Sequence, residues 1–260
     1  MPWEFLYMAI FAGLVWLLDR DIDPYPPPKA PSPRPKHEIA IVIVLWGMAM
    51  GVNALRMLAI NPYLSGTVVH PFVRELIYLP LVTLFFLAIP LYISLKIDRY
   101  SLPDLGLRWQ SRSTNMVVFA LVFGAISGTV AFWTGQTVLG IQASSVGALL
   151  LLIYNNAFVE EFFYRGVIQN RLELVTNQRL AILIAALLFA STHILLDIQM
   201  LRIAGEGGWS GVLYALLMQT IGGCLLGLIF IKTRTLWPGV VCHYLINWLP
   251  SLLSLVAVSL

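Results

Sequence analysis

The stretch NNAFVEEFFYRG, residues 155–166, sets two adjacent carboxylates and an arginine inside an otherwise apolar run. The run, like others elsewhere in the chain, reads as a membrane-spanning helix. Of 260 residues, 59% are hydrophobic and 11% charged, where soluble proteins carry roughly a quarter charged residues. Apolar segments recur along the whole length and leave no polar block large enough to fold alone. The expected fold is therefore all-α, a polytopic transmembrane bundle forming one domain. A net charge of +3, dispersed without a basic face, implies no nucleic-acid partner. Cys224 and Cys242 both sit in apolar runs, which suggests neither a disulfide framework nor a cysteine zinc pair.

A spanning helix needs about 20 mainly apolar residues. Eight segments qualify: Trp3 to Leu18, Ala40 to Ile60, Leu76 to Leu95, Met116 to Trp133, Val146 to Ile168, Leu180 to Ile198, Val212 to Ile231 and Leu236 to Val258. The first is short, but it lacks a basic leader and a small-residue cleavage site, so it reads as a retained span. Pro80 and Pro90 predict kinks in the third. Lysines and arginines alternate between the connections, 12 on the odd-numbered ones and 2, Arg74 and Arg202, on the others. That bias places the odd connections in the cytoplasm and both termini outside. Between the first two spans lies a linker, 19–39, containing DPYPPPKAPSPRPK (23–36), expected to be an extended spacer. Spans two and three occupy 40–101. No internal repeat or inverted pair of broken helices appears, which weakens a transporter reading.

An ionised side chain at the centre of a span costs about 2.5–3.5 kcal/mol on insertion scales, so such groups pair, line wet cavities or serve function. Glu161 and Arg165 are four apart on one helical face and can neutralise each other. Glu160 is turned about 100° away, so its partner must come from another helix. The sixth span supplies His193 in FASTH, and the eighth supplies His243 and Asn247 in HYLIN, four apart on one face. A carboxylate, two imidazoles and a carboxamide suit hydrolysis. The glutamate takes a proton from water, one histidine holds that water or relays the proton, and a histidine with an asparagine stabilises the oxyanion. Glu160, His193 and His243 equally suit zinc, which accepts imidazole and carboxylate ligands, although HExxH is absent. Counted from the cytoplasmic ends of these spans, Glu160 lies roughly 12 Å deep, His243 about 10 Å and His193 about 20 Å, a mismatch in depth.

The motifs EEFFYR, FASTH and HYLIN, in this order across the last four spans, resemble the CPBP family of CAAX-type prenyl endopeptidases and bacteriocin-processing proteins. SLPDLGLRW (101–109) and LWPGVVCHYLIN (236–247) are similar to members too. The resemblance implies a catalytic membrane domain over 102–258 and intramembrane peptide-bond hydrolysis. On it, Glu160 and His193 activate water, His243 and Asn247 form the oxyanion site, and Glu161 and Arg165 brace the helix. It leaves both a zinc and a metal-free glutamate mechanism standing. The partners implied are membrane lipid and a membrane-associated peptide or protein. The expected location is a bacterial-type plasma membrane, with the site on the cytoplasmic side. A catalytically inactive member acting as scaffold or immunity factor is the competing reading; its mark would be a lost motif residue, and none is lost.

Overall fold

Each apolar segment becomes a helix because lipid leaves backbone N–H and C=O no other partners. The computed structural model describes residues 2–21, 25, 27, 31–60, 71–133, 151, 153–203 and 209–259. Among them run eight helices: α1 Pro2–Asp21, α2 Pro35–Ile60, α3 over 71–97, α4 Ser111–Trp133, α5 over 153–173, α6 Gln178–Ile203, α7 Trp209–Thr233 and α8 Trp237–Ser259. Stretches within α2, α3, α4, α6 and α7 are long and apolar enough to cross a membrane. Their outward faces carry exposed Ile43, Val44, Leu58, Val118, Val122 and Leu213, surface that is stable against lipid rather than water. The loop at 205–208 and the expected start of the fifth span, 146–150, lie outside the described residues.

Helix α5 is the central pole, packed against α2, α3, α6, α7 and α8. Every residue from Glu161 to Leu174 is buried. Around it gathers the largest core, in which Phe162, Phe163, Tyr164 and Ile168 meet Phe86, Ala185 and Val240. Two stretches of α5, Ile153–Phe158 and Phe162–Gln169, wind wide in the π-helical manner that recurs at functional sites. The remaining helices pair off around the pole. Helix α4 lies on α8, α6 on α7, and α1 along α7.

Burial changes the depth comparison. Hydropathy ends the fifth span at Ile168, yet α5 continues to Glu173 because its polar end is enclosed and paired. Glu160 therefore stands roughly 20 Å from that end and His193 roughly 22 Å from Gln178, at 1.5 Å per residue. The turn before α8 is sunk into the bundle, with Arg234, Thr235 and Leu236 at 2%, 0% and 1% exposure, so His243 also starts deep.

That buried end is held by charge. Arg171 reaches Glu38 of α2 at 2.8 Å and Asp98, just past α3, at 2.7 Å. Glu173 takes both guanidinium nitrogens of Arg234, at 3.1 and 2.6 Å. The loop before α4 tucks beneath: Asp104 O accepts from Asn170 Nδ2, and Gly106, at φ 80°, turns so that its carbonyl receives the amide of Leu236. Only a glycine fits, since a Cβ at 106 would stand 2.7 Å from Phe230.

Hydrogen bonds tie described residues of the proline-rich linker, expected as an extended spacer, to the bundle. Tyr25 N–H donates to Ile231 O, and Tyr25 O accepts from Gln178 and Arg234. Ser32 N–H donates to Leu174 O. The described residues of the linker thus lie pinned across the same end of the bundle, and α2 begins at Pro35, five residues before Ala40, with proline in its first turn.

Candidate active site

The α-helical turn Val159–Glu161 sends its two glutamates in different directions. The side chain of Glu161 is 1% exposed and that of Glu160 20%. Glu161 Oε1 accepts from Arg165 at 3.0 Å and lies 2.9 Å from His243 Nδ1. Against a carboxylate, which only accepts, Nδ1 is the donor. The other nitrogen of that ring, Nε2, then faces Glu160 Oε2 at 3.8 Å. That gap exceeds a direct hydrogen bond, so both atoms remain open to a third group beside them. The interhelical partner that the helical repeat demands for Glu160 is thus His243, across α8.

A glycine on α8 permits this approach. A Cβ on Gly239 would stand 3.0 Å from Glu161 Oε2, so α8 closes on α5 where residue 239 has no side chain. On α7, Gly223 O accepts from Arg165 at 3.2 Å and Gly227 O from Gln169 at 3.2 Å. The same two glycines let α7 pack close to α6, where a Cβ on Gly223 would meet Ala186 at 2.9 Å. Arg165 also lies 5.0 Å above the Phe189 ring, a cation held on an aromatic face.

His193 is fixed by its own helix. Its Nδ1 lies 3.0 Å from Phe189 O, and a carbonyl accepts, so Nδ1 carries the hydrogen and Nε2 is left for chemistry. The same carbonyl takes the Thr192 hydroxyl at 2.7 Å, which makes Thr192 the acceptor from Tyr164 at 2.7 Å. From α2, Trp46 donates to Ser191 and Asn53 to Thr192 O, both at 3.0 Å. The Phe189 ring lies 4.7 Å from that of His193 and 6.0 Å from that of His243, so one phenyl touches both imidazoles. Among the described residues no ion pair joins His193 to Glu160. Asn247 lies half-buried one turn beyond His243 on α8.

Two polar residues beside this cluster escaped the sequence reading. Asp197 lies one turn beyond His193 on α6, and Gln219 Nε2 on α7 reaches both of its oxygens, at 3.0 and 3.1 Å. The signal was present: residues 193 and 197 repeat the spacing of His243 and Asn247. As to zinc, no three His, Cys, Asp or Glu side chains among the described residues group closely enough to hold a metal ion. Glu160, His193 and His243 do not form such a donor set in this arrangement.

Residues 142–249 match a family model described as type II CAAX prenyl endopeptidase Rce1-like. This is the CAAX-protease family that the three motifs resemble, and the matched segment contains all three motifs. No curated protein matches the chain. No solved structure matches it. The family match supports an intramembrane protease function in general terms.

Proposed function

We propose that this chain, whose residues 142–249 match the Rce1-like family model, is an intramembrane endopeptidase that cleaves a membrane-associated protein or peptide. The observation that carries the reading is the Glu160 carboxylate 3.8 Å from the Nε2 of a histidine whose other nitrogen is anchored. A water bound beside both groups loses a proton to Glu160 as its oxygen attacks the peptide carbonyl. His243, with hydrogen on both nitrogens, donates to Glu161 through Nδ1 and to the oxyanion through Nε2, beside the Asn247 amide. Glu160 then hands its proton to the departing amine as the C–N bond breaks. His193, its Nδ1 committed to Phe189 O, offers Nε2 to hold the water or relay the proton. Glu161 and Arg165 hold the frame.

No step in this route passes through a metal. We place eight spans in the membrane, with both termini outside and the odd connections in the cytoplasm of a bacterial-type plasma membrane. The site is then entered from the cytoplasmic side or sideways from lipid, which suits a lipid-bearing substrate such as a prenylated C-terminal tail. The test is cleavage by the purified protein in liposomes of a prenylated CAAX-type peptide and of the same peptide without its lipid, read by mass spectrometry. Cleavage of the lipidated peptide that persists after chelation is expected. Turnover lost on chelation and restored by zinc would replace the metal-free route. No cleavage of either peptide would favour a scaffold.

A further inference from the structure

A carboxylate inside a membrane span calls for a partner, and Asp197 has an unusual one. Gln219 directs its amide nitrogen at both carboxylate oxygens, while its own carbonyl oxygen, buried, has no hydrogen-bond partner among the described residues. An amide placed merely to tie α6 to α7 would satisfy both of its ends. This one is committed to holding a carboxylate in a single orientation. Helical geometry puts that carboxylate on the His193 face, since side chains four apart stack on one side and lean toward the helix N-terminus. The two groups are near enough for their charges to interact, although no hydrogen bond joins them. His193 is thus held at Nδ1 by Phe189 O, from the turn before it, and stands under the field of Asp197 from the turn after.

We propose that Asp197, locked by Gln219, is a positioning residue for His193, orienting and polarising the imidazole that presents Nε2 to the water. This rests on the endopeptidase reading for its chemistry but on geometry for its existence. A carboxylate beside the ring favours the imidazole as it gains positive charge, and so matters when Nε2 shares a proton.

The decisive variant is Asp197→Asn, which keeps shape and one acceptor for Gln219 while removing the charge. If the pair were glue alone, this change would be nearly neutral. The experiment records imidazole ¹⁵N resonances of the full chain in lipid nanodiscs, with His193 assigned by its loss in His193→Gln. The expected result is that Asp197→Asn moves the His193 resonances, leaves those of His243 in place, and preserves helicity. With the lipidated peptide as probe, kcat falls on the order of 10-fold, a part of the roughly 10²–10⁴ that acid–base catalysis supplies, at unchanged KM. Gln219→Leu, which frees the carboxylate, should shift the same resonances. Unmoved His193 resonances in a folded Asp197→Asn protein would overturn the proposal. If the wild-type chain cleaves nothing, the resonances still decide the role of Asp197, and the endopeptidase reading fails separately.

Discussion

Glu160 and Glu161 are the same residue at adjacent positions, and a rotation of about 100° gives them different environments. Glu161 is buried between Arg165 and His243, and its charge is spent on holding them. Glu160 keeps partial access, with His243 Nε2 at 3.8 Å and no direct hydrogen bond among the described residues, so its oxygens are open to a water. Glu161→Gln should therefore cost stability as well as turnover. It leaves the Arg165 guanidinium buried without its counter-charge, and breaking a buried pair from one side costs about 3–5 kcal/mol. A thermal midpoint equal to wild type would contradict that assignment. The division between the two glutamates was legible in the sequence, because spacing alone pairs Glu161 with Arg165. The hold of Glu161 on His243 was not, since no local pattern links residues 82 apart.

Hydropathy located the helices because it reads surface that faces lipid. It misread the polar end of α5, where Gln169, Asn170, Arg171 and Glu173 are buried in hydrogen bonds to other elements rather than exposed. The same blindness hid the ties of Tyr25 and Ser32 to the bundle, which run through the backbone. Packing at the other helices is steric. On α4, a Cβ at Gly128 would stand 2.7 Å from the Cβ of Leu249 and 3.0 Å from Leu245 O. Gly128→Leu should part α4 from α8 at a cost of about 1–3 kcal/mol, the usual range for overpacking, read from thermal unfolding in detergent.

The charged tie among α2, α3 and α5 carries a pH signature. Burial raises the Asp98 carboxyl, but hydrogen bonds from His37 and Arg171 and the charges of both outweigh it and hold the group below the usual carboxylate range. The folded state therefore keeps Asp98 ionised to lower pH than the unfolded chain does. Its contribution is complete above the unfolded value of about 3.9 and disappears as pH falls through the lowered folded one. The difference in thermal midpoint between wild type and Asp98→Asn should shrink on going from pH 7 to pH 3. A constant difference would mean that the pairing with Arg171 contributes nothing.

At the scale of the molecule, the family match covers 142–249, yet the site depends on more of the chain. Helix α2 supplies Glu38 to the buried charge cluster and Trp46 and Asn53 to the turn that bears His193. The loop at 98–108 closes the end beneath α5, and Leu105 O stands 2.8 Å from where a Cβ on Gly166 would lie. The motifs made the candidate side chains legible because ionisable groups are costly in lipid and so are few. The support around them was harder to read, since a tryptophan or an asparagine in a span resembles ordinary helix packing until its partner is known.

The central claim is that Glu160 performs the proton transfer in a site assembled from α5, α6 and α8. Its most direct test is the single-turnover cleavage rate of a lipidated peptide by wild-type protein and by Glu160→Gln, each reconstituted in liposomes and shown to be folded. The account predicts clean cleavage by wild type and a loss of roughly 10²-fold or more in the variant, with peptide binding retained. Cleavage by Glu160→Gln at the wild-type rate would contradict it.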